Sequence, residues 1–451
     1  MKSFNWKNVG VLLFVLMLAL TSVGCQSPSA VNEDGKKPGK KENESTEDVL
    51  NLLIPNYYND VEKRQWVEVV DKFKELNEGI EVVVETGDVQ VESGSLPTLL
   101  QSGVNIPDAI LMNAGPGRVA ILSEAELIRP INDLYVEHKW AEKLRPYAYN
   151  LISGEENIYE VPHMIDAIGF FYNKNVFDMG GIDKAPETKE EFETTLEKLK
   201  ETGVPPITVG ARNGYAVGWI FGVMMEAVAG KDKVENLFYG DGKWNDPEFV
   251  EVGEMLVDWV DKGYIAKESV TQAQPDSKFR FLSGKAAMEV EGSYLITEIS
   301  EQGLEENVHF FMMPSFIEGK TASPTGGIGQ TWVIPTKAED DELAAKWFDF
   351  IVSEEFSETV LNFPDYNFIP ASQASVDMEP AGEALKTAMN FAKEGTGYNP
   401  SVFMGVDAKE AYFQNLQGLI GGLITAEEAL DGIEKGAEKD RANGFQLKKQ
   451  N

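Results

Sequence analysis

Aromatic side chains stand beside carboxylates and amides at several places in this 451-residue sequence, and that pairing suggests a binding chemistry. A flat ring offers an apolar platform, and carboxylate or amide oxygens accept hydroxyl protons. Together they suit a ligand with apolar C–H faces and a rim of hydroxyls. Asn56-Tyr57-Tyr58-Asn59-Asp60 carries both types, although Asn59 or Asp60 would equally cap a following helix. Asn113 precedes Gly115 and serves either a ligand or a turn. Asp166 lies in the apolar stretch Met164 to Phe171, where an ionised carboxylate is costly without partners; the alternative is a strand-edge acid facing water. Arg212, Asn213 and Trp219 follow a Val-ended strand, with a buried helix face as the other reading of Trp219. Glu291-Gly292-Ser293-Tyr294 offers an acceptor, a glycine that admits close approach and a ring. Gly327, Gln330 and Trp332 share a Gly-rich strand, where Trp332 is either a platform or core between Ile328 and Ile334. Asp365 and Tyr366 precede Phe368-Ile369-Pro370. For Tyr172 and Tyr412, packing is the better reading.

Catalytic and metal chemistry lack signatures. There is no Gly-x-Ser-x-Gly elbow and no Walker loop, and Gly327-Ile328-Gly329 lacks the third glycine and runs into a strand. His138, His163 and His309 are too scattered for a zinc site, so neither catalytic residue, metal nor cofactor is expected. Paired carboxylates for glycoside hydrolysis are uninformative among 74 acids. An anchored carbohydrate-active enzyme stays as the alternative, with an adhesin or structural lipoprotein as a third class.

The elements that must position these residues alternate. Val49 to Pro55 reads as a buried strand, and Trp66, Val69, Val70, Phe73 and Leu76 fall at helical spacing before Gly79. Ile80 to Glu85 and Pro107 to Asn113 are further strands, so the pattern predicts a parallel α/β sheet. Glu187 to Lys200 reads as a helix and Pro205 to Val209 as a strand. Phe249, Val252, Met255, Leu256 and Trp259 mark another helix, opened by Asn245-Asp246-Pro247-Glu248. Two α/β lobes are expected.

The N-terminus sets a compartment. Lys2 and Lys7 precede an apolar run, Val9 to Leu20, of about 12 residues, short of the roughly 20 a spanning helix needs. Residues 1–24 therefore read as a signal peptide. Ser22-Val23-Gly24-Cys25 resembles a bacterial lipobox, with Ser22 where Leu is favoured. Cys25 is the only cysteine, which excludes an internal disulfide and fits a lipid attachment point. Two acyl chains, at roughly 0.8 kcal/mol per buried methylene, hold where one does not. Residues 25–48 have almost nothing apolar to bury and read as a disordered tether. The net charge of −34, from 40 basic and 74 acidic residues, argues against nucleic acid as a partner.

Several segments in order resemble extracellular solute-binding protein family 1, the maltodextrin-binding-like receptors of ABC sugar importers. They are Pro107-Asp108-Ala109-Ile110, Tyr159 to Pro162 with Gly169 to Lys174, Phe281 to Tyr294, Gly326 to Pro335, and the helix from Leu343 to Ser353. The resemblance implies a two-lobed, type II periplasmic-binding-protein-like α/β fold with discontinuous lobes, 48–164 with 310–350 and 165–309 with 351–451, joined by a hinge. It implies a mono- or oligosaccharide bound in the interlobe cleft, with a non-sugar solute as the other possibility, and delivery to ABC permease subunits. Asp166, seven before Asn173, falls where the family often has an acidic ligand-binding residue, and Tyr294 on its aromatic stacking position. The expected location is the extracytoplasmic face of the bacterial membrane, anchored through Cys25.

Overall fold

Fourteen consecutive residues, Glu160–Asn173, form the strand around which the protein is arranged. The computed structural model describes residues 48–91, 93–154, 156–320 and 323–448. The signal peptide, Cys25 and the tether lie outside the described residues. Among the described residues nine strands make one curled sheet: β1 (Asp48–Pro55), β2 (Ile80–Gly87), β3 (Ala109–Asn113), β4 (Glu160–Asn173), β5 (Ile207–Thr208), β6 (Met288–Gly292), β7 (Val308–Phe311), β8 (Thr325–Val333) and β9 (Ile369–Pro370). The order is β2-β1-β3-β8-β4-β6-β5, with β7 and β9 also pairing β4.

The expectation of a parallel sheet holds only at the two ends. β1 pairs β2 and β3 in parallel, and β5 pairs β6 in parallel. In the middle, β8 runs antiparallel to both β3 and β4, and β4 antiparallel to β6 and β7. A chain that crosses between two lobes and returns has to run these shared strands in opposite directions, which strand–helix alternation cannot reveal.

β4 is buried along almost its whole length because each face meets a different core. Side chains alternate across a strand. Phe171 enters a first core with Leu52, Phe73, Trp332 and Trp347, and its ring centroid lies 5.0 Å from that of Phe310. Phe170 enters a second with Phe192, Phe249, Leu256 and Tyr412, 5.4 Å from Phe311. A smaller group, Leu53, Leu96, Ile110 and Leu122, lies under the opposite face of the first strands.

Local signals set the flanking helices. Asn59 caps Asp60–Leu76, its Oδ1 accepting from the Glu62 amide at 2.9 Å, and Thr188 caps Lys189–Glu201. Pro247 opens Pro247–Asp261, which buries Phe249, Val252, Leu256 and Trp259. The strand expected over 205–209 shrinks to two residues.

The lobe boundaries need correction. Val352, Phe356, Val360, Tyr366, Ile369, Leu385 and Met389, expected in the second lobe, pack in the first core. So do Leu295, Ile296 and Ile299. Tyr398, Phe403, Tyr412 and Leu430 belong to the second. Packing into the second core thus resumes only after residue 392, while the helix Glu354–Leu361 lies against Asp60–Leu76.

β8 is thinned by glycines where it meets β4. A Cβ on Gly326 would be driven into the Asp166 carbonyl oxygen and the Thr396 side chain. Backbone cannot swing aside as a side chain does, so Gly326→Ala is expected to destabilise the protein by about 1–3 kcal/mol, read as a lower urea midpoint at unchanged m.

Candidate functional site

A cleft of about 310 Å³ is lined by the end of β3, the inner stretches of β4 and β8, and the segments after β1 and β6. Asn113 closes β3 and pairs in register with Gln330 of β8, and both line it. Asp166 reaches it from β4. The strand bulges just before, with register shifts between Pro162 and Met164 and between Met164 and Ile165. Gly329 leaves the space that the Asp166 carboxylate occupies, since a Cβ there would collide with Oδ1. Tyr58 reaches the cleft from the loop after β1, and Tyr294 from the turn after β6, its ring folded over the backbone of Gly292.

Five expected residues therefore meet in one cleft: Tyr58, Asn113, Asp166, Tyr294 and Gln330. Trp219 stands one ring behind, with centroids 5.9 Å from Tyr294 and 5.1 Å from Tyr215. Burial, and then the Glu291 charge behind it, raise the pKa of the Tyr294 hydroxyl, so it stays protonated.

The other expected residues are placed differently, each for a physical reason. Trp332 is fully buried in the first core, covered by Trp66, Trp347 and Phe348, and its Nε1 donates to His163 Nδ1 at 3.3 Å. It is core rather than platform. Tyr57 packs against that core while Tyr58 beside it is 69% exposed. Tyr366 is buried against Phe363 and Phe368, and Asp365 accepts from Gln65 Nε2 at 2.9 Å. The next two residues, Asn367 and Phe368, are the ones lining the cleft. Arg212 is exposed on a short 3-10 turn, its carbonyl accepting from Gln417 Nε2, and is not among the lining residues. Gly327 has φ +149° and faces the Phe403 ring, so its part is to let the backbone pass. Glu291 is fully buried behind Tyr294, accepting from Gln274 Nε2, and Gln274 Oε1 accepts from the Tyr215 hydroxyl at 3.0 Å. Tyr412 is core, its hydroxyl donating to the Gly218 carbonyl.

The structure adds Lys278 and Glu298, which sequence reading missed. Lys278 Nζ donates to Glu298 Oε1 at 2.5 Å, and both side chains are largely buried. Each sits on a short helix among other charges and looks like an ordinary solvated residue in the sequence. Burial works against the Lys278 charge, but Glu291 and the bond to Glu298 outweigh it, so its pKa is raised and the ammonium persists. Burial pushes Asp166 up to about 6 against the pull of Arg118, and Glu291 up to about 7 against Lys278. A second hollow of about 340 Å³, between residues 181–186 and the helix Lys189–Glu201, lies away from the strand ends. Its Lys184 is already paired with Glu187 and Glu191. Among the described residues no group of acids, histidines or cysteines is arranged to hold a metal ion.

The Asp166 shift has a consequence for stability. A carboxyl whose native pKa lies above its unfolded value of about 4 stabilises the fold at low pH, and that contribution fades as pH rises through the native value of about 6. Without ligand, Asp166→Asn is therefore expected to gain on the wild type in urea midpoint between about pH 4.5 and 7.5. A pH-independent difference would show the carboxylate to be well solvated.

The model of the family described as bacterial extracellular solute-binding protein matches residues 59–357. An uncharacterized ABC transporter extracellular-binding protein of Pyrococcus horikoshii is 28% identical over 330 residues, 71% of each chain. A maltooligosaccharide ABC transporter solute-binding lipoprotein of Streptococcus pneumoniae is 24% identical over 453 residues, covering 96% of this chain and 98% of that one. A solved chitin oligosaccharide binding protein superposes with a TM-score of 0.72 at 24% identity, covering 87% of this chain and 99% of the other. The curled sheet, the two cores sharing β4 and a match spanning more than half the sequence agree: this chain belongs to the bacterial extracellular solute-binding protein family.

Proposed function

We propose that the protein is the receptor of an ABC importer, that it holds a mono- or oligosaccharide in the cleft, and that it passes the sugar to a membrane permease. The observation that carries this reading is the composition of the cleft. Acceptors from shared strands, Asn113, Asp166 and Gln330, face an aromatic wall of Tyr294 backed by Trp219. Hydroxyls would bond the first set and sugar C–H faces would pack on the second. The likeness to a maltooligosaccharide-binding lipoprotein and a chitin oligosaccharide binding protein supports the same ligand class. Two cores joined by shared strands suit closure of the lobes around a ligand. The Cys25 lipobox, and the relative named as a lipoprotein, support anchoring at the extracytoplasmic face through two acyl chains. No described helix is long and apolar enough to cross a membrane, and the sequence has no ATPase motif, so transport requires separate permease and ATPase subunits.

A thermal-shift screen across neutral mono- and oligosaccharides tests the reading. A cognate sugar at 100 times its Kd is expected to add about 2.7 kcal/mol. Tyr294→Ala is expected to weaken that sugar by about ten- to a hundredfold, and Tyr294→Phe by less. Recovery of cleaved sugar would overturn the receptor reading in favour of a hydrolase. Cys25→Ala is expected to move the protein from the membrane fraction to the medium, and retention at the membrane would count against the anchor.

A further inference from the structure

We infer that the cleft is closed at one end by a wall of Tyr58, Glu298 and Lys278, so that it takes the end of a short saccharide and not a stretch within a longer chain. The inference rests on the sugar-receptor reading and adds a limit on ligand length.

The wall is built from three separate parts of the chain. Tyr58 comes from the loop after β1. Glu298 sits on the helix Leu295–Glu301, which Leu295, Ile296 and Ile299 anchor in the first core. Lys278 sits on the helix Gln274–Leu282, which packs on β5 and β6 of the second lobe. Glu298 Oε1 accepts from the Tyr58 hydroxyl at 2.6 Å and from Lys278 Nζ at 2.5 Å. The ammonium lies 5.6 Å from the Tyr58 ring centroid. At such spacings no sugar ring passes between the side chains, and all three line the cleft.

The wall is also held shut. Lys278 is only 8% exposed, and separating it from Glu298 would break a largely buried ion pair. Glu298 Oε1 already receives two donors, while Nζ has further N–H groups to offer. The wall can therefore donate to the last hydroxyls of a bound chain end. A volume of about 310 Å³ is near the lower limit of ordinary ligand sites, roughly 300–1,000 Å³, which agrees with a short occupant.

The test is a calorimetric titration of the wild type and Tyr58→Ala with malto-, chito- and xylo-oligosaccharides of increasing length, from the monosaccharide to the pentasaccharide. Tyr58 is largely exposed, so its removal leaves the cores intact. The melting temperature without ligand checks this, and Glu298→Ala provides a second variant that removes the acceptor the other two side chains share. In the series that binds, wild-type affinity is expected to stop rising after the first few rings. Both variants are expected to shift preference toward the longer members by about tenfold. Affinity that climbs steadily to the pentasaccharide in the wild type, or a length profile unchanged in both folded variants, would overturn the wall. If no member of any series binds the wild type, the sugar-receptor reading itself fails, and the inference with it.

Discussion

Everything functional in this protein is measured from one strand that has to satisfy two cores at once. β4 gives Phe171 to the first core and Phe170 to the second, and the β8 and β6 ladders fix its register on both sides. A one-residue slip would turn each of these phenylalanines toward the wrong lobe. The same ladder places the polar residue of the strand. Asp166 lies opposite Gly327; Gly326 makes room for its backbone carbonyl and Gly329 for its carboxylate. The glycines of β8 and the acid of β4 are thus two halves of one arrangement.

The second constraint is the handling of charge inside a cleft that also has to be dry enough to bind. Glu289 and Glu291 are buried on β6, and Lys278 faces both. Neither carboxylate is ionised cheaply: burial raises both pKa values, and the charge of Glu291 raises that of Glu289 further. Gln274 and Tyr215 complete a chain of hydrogen bonds from the second lobe to Glu291. Such a network is costly to break in part, because any deletion leaves a buried group unpaired. It therefore holds Lys278 and Tyr294 in place from behind. A neutral His163, its pKa pushed down to about 3 by burial, has a similar structural part beneath the first lobe, accepting from Trp332 and stacking on Trp66.

How much was legible beforehand depends on how locally each feature is determined. The helix cap at Asn59, the helix beginning near Glu187, the proline start at Pro247 and the apolar strand β1 are set by neighbours in sequence, and they appear within a residue or two of expectation. Asn113 and Tyr294, at or just past the ends of β3 and β6, were also readable, because strand ends in an open α/β sheet face its cleft. Asp166 lies inside β4 and was marked instead by the apolar stretch around it, as Gln330 inside β8 was by its Gly-rich strand. Glu291 and Tyr366 show the limit. Each stands within three residues of a cleft residue, yet points into the interior.

By itself the sequence determined the two-lobed α/β class and the family, since these depend on periodicity and ordered motifs, and it supplied the lipobox and the cleft candidates as expectations. Only the tertiary structure decided which side chains of each strand face the cleft, because a bulge in β4 and the cover of Trp66 and Trp347 over Trp332 set that orientation. It also decided that 351–392 belongs with the first core, through the packing of Glu354–Leu361 on Asp60–Leu76. Lys278 and Glu298 became a pair for the same reason. Their partnership is a contact between helices whose faces are chosen by packing, and a charged residue on a short helix carries no local mark of what it will meet.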